Sequence, residues 1–135
     1  MPLRPVVAAL ALVSSLALAA CGSDKETEKA EEQTSPAQAR AEIGEVRAAL
    51  DQAVASLREG DAKAAENAVS EGYLQHFEKV EGPLGAVDAE LNEKLEDGIR
   101  EDLRDKIRDG APVTEVTRMV SDLKADLATA EQKLR

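Results

Sequence analysis

From residue 36 to the end of the chain, apolar side chains recur every three or four positions, and glycines and prolines punctuate the runs. Residues three and four apart share one face of an α-helix. Each run therefore carries one apolar stripe that it cannot bury alone. The first run is Ala39, Ile43, Val46, Leu50, Ala53 or Val54, and Leu57, opened by Ser35-Pro36 and stopped by Gly60. The second is Ala65, Val69, Tyr73, Phe77 and Val80; Asp61 caps it, and Gly82-Pro83-Leu84-Gly85 predicts a break after Glu81. The third follows Asp88 with Leu91, Leu95, Ile99, Leu103 and Ile107, and ends at Gly110. The fourth, Val113, Val116, Val120, Leu123, Leu127, Ala130 and Leu134, keeps a nearly strict heptad. No strand signal interrupts them. Long amphipathic helices joined by short connections predict an all-α fold, an antiparallel up-down four-helix bundle over residues 36–135.

What precedes the bundle reads as an address. Arg4 gives a positive start, and Val6 to Ala20 is small and apolar apart from Ser14 and Ser15. About fifteen such residues are too few to cross a bilayer and suit a signal peptide, residues 1–20. The stretch ends in Leu18-Ala19-Ala20-Cys21, which resembles the bacterial lipobox. That resemblance implies cleavage before Cys21 and a diacylglycerol on its thiol. Two or three acyl chains hold a protein firmly to a membrane. Residues 21–35 are then the lipid anchor and a flexible acidic linker, since Gly22 to Thr34 has no apolar side chain larger than Ala. The expected location is extracytoplasmic, lipid-anchored to a bacterial membrane, with the membrane as first partner.

Composition removes most other functions. Lys and Arg number 17 against 27 for Asp and Glu, a net charge of -10, so no run of phosphates finds its countercharge and nucleic acid is excluded as a partner. One Tyr, one Phe and no Trp leave little for stacking or for a large aromatic pocket. A single Cys and a single His rule out a disulfide framework and a Cys/His zinc site. A ferritin-like oxidation centre needs Glu-x-x-His on two helices, and the only histidine, His76, follows Gly72 and Tyr73 instead. The chain is not expected to be an enzyme.

Residues Tyr73 to Leu84 stand out, because they hold both aromatic residues and His76. At about 100° per residue, Glu78 and Glu81 lie roughly 60° apart on one helix face, a workable pair for a hard cation. His76 and Glu78 point roughly 200° apart and cannot share an ion. A turn near Gly85 would bring Glu81 towards Glu90 and Glu78 towards Glu93, with Glu96 a turn further on. Crowded carboxylates are unfavourable unless a cation or a proton sits among them. The competing reading is solvated surface acids beside a core stripe, with His76 at the boundary and Tyr73 and Phe77 in the core.

At this stretch the chain resembles the N-terminal extracytoplasmic helical domain of the bacterial high-affinity iron and lead permease family. The resemblance lies in Gly60-Asp61, Ala64-Ala65, Tyr73-Leu74, Phe77-Glu78, Val80-Glu81, Leu84 and Leu95-Glu96, continues through Leu103, Ile107, Gly110 and the Leu123-to-Leu134 repeat, and covers about Arg40 to Arg135. It implies a domain that gathers or hands over a cation, iron or another divalent or trivalent ion. Glu78, Glu81 and Glu96 would be its acids and Tyr73 and Phe77 its aromatic frame; Tyr73, His76 and Glu93 are possible auxiliary ligands. The transmembrane permease is missing, so this chain transports nothing itself. It is expected to be a stand-alone lipoprotein accessory to a separate iron permease. The alternative is a structural or interaction lipoprotein of the envelope with no metal role.

Overall fold

The computed structural model describes residues 33–135. They form four helices, with no strand among the described residues. The expected signal peptide, Cys21 and nearly all of the expected linker lie outside the described residues. Helix α1 is Pro36–Arg58. Helix α2 covers 62–87: Ala62–Glu71 and Glu78–Val87 are α-helical, and Gly72–Phe77 between them is wound as a π-helix. Helix α3 covers 89–108 in the same manner, with Ala89–Asp97 and Leu103–Arg108 flanking a π-wound Gly98–Asp102. Helix α4 is Val113–Lys133.

The caps follow from the sequence. Ser35 Oγ accepts from the Gln38 amide at 3.2 Å while Gln38 Oε1 accepts from the Ser35 amide at 2.8 Å, a reciprocal capping box. Asp61 caps α2 through the Ala64 amide at 2.8 Å, and Asp88 caps α3 through Leu91 at 3.0 Å. Gly60 and Gly110 take φ of 84° and 75° behind α1 and α3, in the left-handed region that glycine enters freely.

One expectation is overturned. Gly82-Pro83-Leu84-Gly85 does not break α2, which continues to Val87. Pro83 removes one backbone donor, at roughly 3 kcal/mol in a helix interior. Continuing the helix buries Leu84 completely, which is worth about 1.5–3 kcal/mol and offsets most of the cost of the proline. The turn to α3 falls at Asp88, not near Gly85.

The core takes side chains from all four helices, centred on Phe77, Ile43, Leu50, Leu84, Leu95, Ile99, Leu103 and Leu127. Helix α1 packs on α2 and α4, α2 on α3, and α3 on α4. The π segments answer a mismatch in period. Up to the end of its π segment the buried apolar positions of α2 run 65, 69, 73, 77, in steps of four, before continuing to 80 and 84, and those in α3 run 95, 99, 103, 107, also in steps of four. Four residues turn an α-helix by about 400°, so the stripe slips about 40° per step. A wider turn winds back that slip. In α4 the steps alternate three and four, and the helix stays regular.

Both π segments begin at a buried glycine. A Cβ on Gly72 would lie 2.7 Å from Ala49 Cβ, and one on Gly98 would lie 2.7 Å from Leu123 Cδ2. The backbones of α2 and α3 therefore approach α1 and α4 closely where their turns widen. Polar pairs cross the outer seams. Arg40 donates to the Leu134 carbonyl at 2.6 Å, Arg47 pairs with Glu131 at 3.0 Å, and Lys124 reaches Asp51 at 2.7 Å. Lys133 pairs with Asp88 at 2.9 Å, Lys94 with Asp126 at 2.8 Å and Lys106 with Glu115 at 2.8 Å.

Candidate functional site

The two π segments meet through Tyr73 and Arg100. The Arg100 guanidinium carbon stands 6.0 Å from the centre of the Tyr73 ring, at the outer edge of a cation–π contact. Tyr73 is almost fully buried beside Phe77, ring centres 5.9 Å apart. Its hydroxyl emerges at the side of α2 and donates to Glu81 Oε1 at 2.7 Å. Arg100 in turn binds Glu96 at 2.7 Å and Glu101 at 2.8 Å. A buried phenol, two half-buried carboxylates and a guanidinium thus sit between α2 and α3.

Glu81 carries the electrostatic strain. Burial pushes its carboxyl above the ordinary carboxylate value, and the negative charges of Glu96 and Glu78 push the same way. The Tyr73 hydrogen bond and the Arg100 charge oppose them without cancelling them. Tyr73 is itself pushed up to about 12, first by burial and then by its bond to Glu81.

The sequence-derived residues fall as follows. Glu81 and Glu96 are half-buried and Glu78 is exposed, and both neighbours act on Glu81. The expected register is corrected: Glu96, not Glu90, is the α3 carboxylate that acts on Glu81, because α2 runs six residues further than the break at Gly82 implied. Glu90 and Glu93 are exposed. Tyr73 reaches Glu81 on its own helix. His76 turns away to α1, where its Nδ1 lies 2.6 Å from Glu42 Oε2, and Lys79 binds the same carboxylate at 2.9 Å. Among the described residues, no three His, Cys, Asp or Glu side chains gather in an arrangement that could hold a metal ion. Among them, too, no helix is long and apolar enough to cross a membrane.

No known family, curated protein or solved structure matches the chain.

Two members of this arrangement escaped the sequence reading. Arg100 carried a signal, since it stands four residues after Glu96 on α3. Glu42 carried none, because its role depends on how α1 lies against α2.

Proposed function

We propose that the chain is a lipid-anchored extracytoplasmic accessory protein that holds a cation, iron or another hard divalent or trivalent ion, loosely at Glu78, Glu81 and Glu96 and passes it to a separate permease. What supports this reading is Glu81, a half-buried carboxylate whose pKa is raised first by burial and then by the charges of Glu96 and Glu78, with Arg100 paired to Glu96 as a countercharge. Arg100 also bonds Glu101 and is exposed, so it can swing outward and leave the carboxylates to the ion. Two or three carboxylates without further ligands bind weakly and release readily, which suits a hand-over rather than storage. The ion is cargo, and no chemistry is asked of it.

The arrangement proposed for the four helices is the up-down-up-down antiparallel bundle. In its support, contacts that rise in number along α1 fall along α4 (40 with 134, 47 with 131, 51 with 124), and those that rise along α3 also fall along α4 (88 with 133, 94 with 126, 106 with 115). Cys21 as the lipid-bearing residue rests on Leu18-Ala19-Ala20-Cys21.

The site is tested with terbium, a hard trivalent probe excited through a nearby tyrosine. Tyr73 is the only tyrosine and there is no tryptophan, so sensitised emission reports this site alone. On the full chain in detergent micelles, saturable emission is expected, and it is lost in the Glu81→Gln/Glu96→Gln double variant. No emission, or equal emission from that variant, overturns the reading.

A second reading, an envelope interaction protein, is favoured by Leu74 and Val87, each 56% exposed.

A further inference from the structure

The chain enters α1 at the end of the fold where α2 gives way to α3 and where α4 finishes. There Arg40 donates to the Leu134 carbonyl at 2.6 Å, and Lys133 pairs with Asp88 at 2.9 Å. At this end the first turn of α1 and the last turns of α2 form a groove of about 520 Å³. Its apolar lining is Pro36, Pro83, Ala86 and Val87. Val87 is 56% exposed, and Leu74 is the one other large apolar side chain so exposed among the described residues. Leu74 lies midway along α2, inside the wide turn. The opposite end of the fold, around residues 59–62 and 109–112, exposes no large apolar side chain.

Gln33, where the described chain begins, lines the same groove. Cys21 stands twelve residues before it. Twelve residues reach about 40 Å when fully extended. A lipid on Cys21 therefore keeps this end of the fold within that distance of the bilayer surface.

We propose that this groove docks on the lipid bilayer that holds Cys21, with Val87 inserted into its surface. The inference rests on the lipid-anchor reading and needs no cation. A tethered apolar surface meets the bilayer at a far higher effective concentration than it meets a free partner. Four small side chains fall well short of the roughly 1,200 Å² that a stable dimer buries, so a second copy is the poorer occupant. Basic groups add little, because Lys79 is bound to Glu42, Lys133 is bound to Asp88 and the whole chain carries a charge of -10. The contact is therefore apolar, and it is expected on zwitterionic lipid without anionic headgroups. Glu78 lines the groove as well, so docking holds one of the proposed cation ligands beside the bilayer.

Spin labelling tests the dock. The full chain is expressed with its leader, so that Cys21 is processed, and is reconstituted in phosphatidylcholine vesicles. Cys21 is the only cysteine, so once its thiol carries lipid an introduced cysteine is the one free thiol. Nitroxides are attached in Val87→Cys, in Ala86→Cys and, at the far end, in Thr114→Cys. Lipid dissolves oxygen and excludes a water-soluble nickel chelate. The ratio of oxygen to nickel collision rates is therefore expected to be several-fold higher at position 87 than at position 114. Adding Val87→Gln to the Ala86→Cys chain is expected to bring position 86 down to the value at 114. Equal, water-like ratios at 87 and 114 in an acylated chain overturn the dock and leave the anchor standing. Low collision rates with both reagents at 87 mean that protein covers it, and line broadening that vanishes on dilution with unlabelled chain identifies a second copy; either overturns the dock. A Cys21 with no acyl mass overturns anchor and dock together.

Discussion

The Tyr73 hydroxyl donates to Glu81 Oε1 across 2.7 Å, though the two residues are eight positions apart on one helix. The bond joins a buried ring to a half-buried acid and ties the π segment of α2 to the α-helical stretch that follows it. Tyr73→Phe deletes the donor and leaves the carboxylate in place. The Tyr73 bond lowers the pKa of Glu81, so its loss moves that pKa further up. A loss of about 1 kcal/mol at neutral pH is expected. Carboxyl-carbon NMR titration and urea unfolding check the two parts, and a Glu81 pKa that falls would contradict the account.

Glu81 and Glu42 give opposite pH signatures. Glu81 has a folded pKa above its unfolded value, so the native state binds the extra proton. Its contribution is fully present below the unfolded value and is lost as pH rises through the folded one. Glu42 has a folded pKa below its unfolded value, so its contribution is present above the unfolded value and is lost as pH falls through the folded one. Glu81→Gln should therefore gain on wild type as pH rises above the ordinary carboxylate value, while Glu42→Gln should lose ground as pH rises towards that value from below it. Unfolding midpoints at several pH values check the crossing; parallel curves would refute it.

The two buried glycines are not equivalent. Gly72→Ala drives a Cβ to 2.7 Å from Ala49 Cβ, which its own backbone holds in place. Overpacking of this kind costs about 1–3 kcal/mol and outweighs the better helix propensity of alanine. Gly98→Ala meets the tip of Leu123, which can rotate away. It should be near neutral, or up to about 1 kcal/mol more stable. Ala49→Gly should rescue the Gly72 variant and do nothing for the Gly98 variant. Denaturant midpoints of the singles and the double decide it.

Pro83→Ala restores an amide donor inside α2 and removes the ring from a helix interior. A gain of about 1–3 kcal/mol is expected, read as a higher thermal midpoint with unchanged helicity. No gain would mean that the proline costs nothing where it stands.

Most of the fold was legible because burial is periodic. The apolar stripes of the sequence reappear as buried residues of α1 to α4, except that Leu57, Leu91 and Val113 are only half-buried, and Ala53 and Val54, offered as alternatives, are both buried. Leu84 was missed because it sits in a Gly-Pro-Leu-Gly stretch whose local preference is to stop a helix. Packing outweighed that preference. The π segments had a sequence signal, the steps of four from Ala65 to Phe77 in the second stripe and from Leu91 to Ile107 in the third, and period counting alone could have raised it. The candidate site was only half visible. Glu81, Glu96 and Tyr73 share features that a single helix reveals. The pairing of Glu42 with His76 and of Arg100 with Tyr73 depends on how neighbouring helices lie against each other, which one-dimensional spacing does not encode.

A π turn is in effect one amino acid more than the height of the helix requires. Helices α2 and α3 each hold such a surplus, and α1 and α4 hold none. Removing one residue within 72–77 or 98–102 would shorten the loop of backbone that bulges while leaving the flanking faces aligned, whereas the same deletion in α4 would swing everything after it by about 100°. A single-residue deletion is therefore expected to be absorbed inside the π segments of α2 and α3 and not in α4.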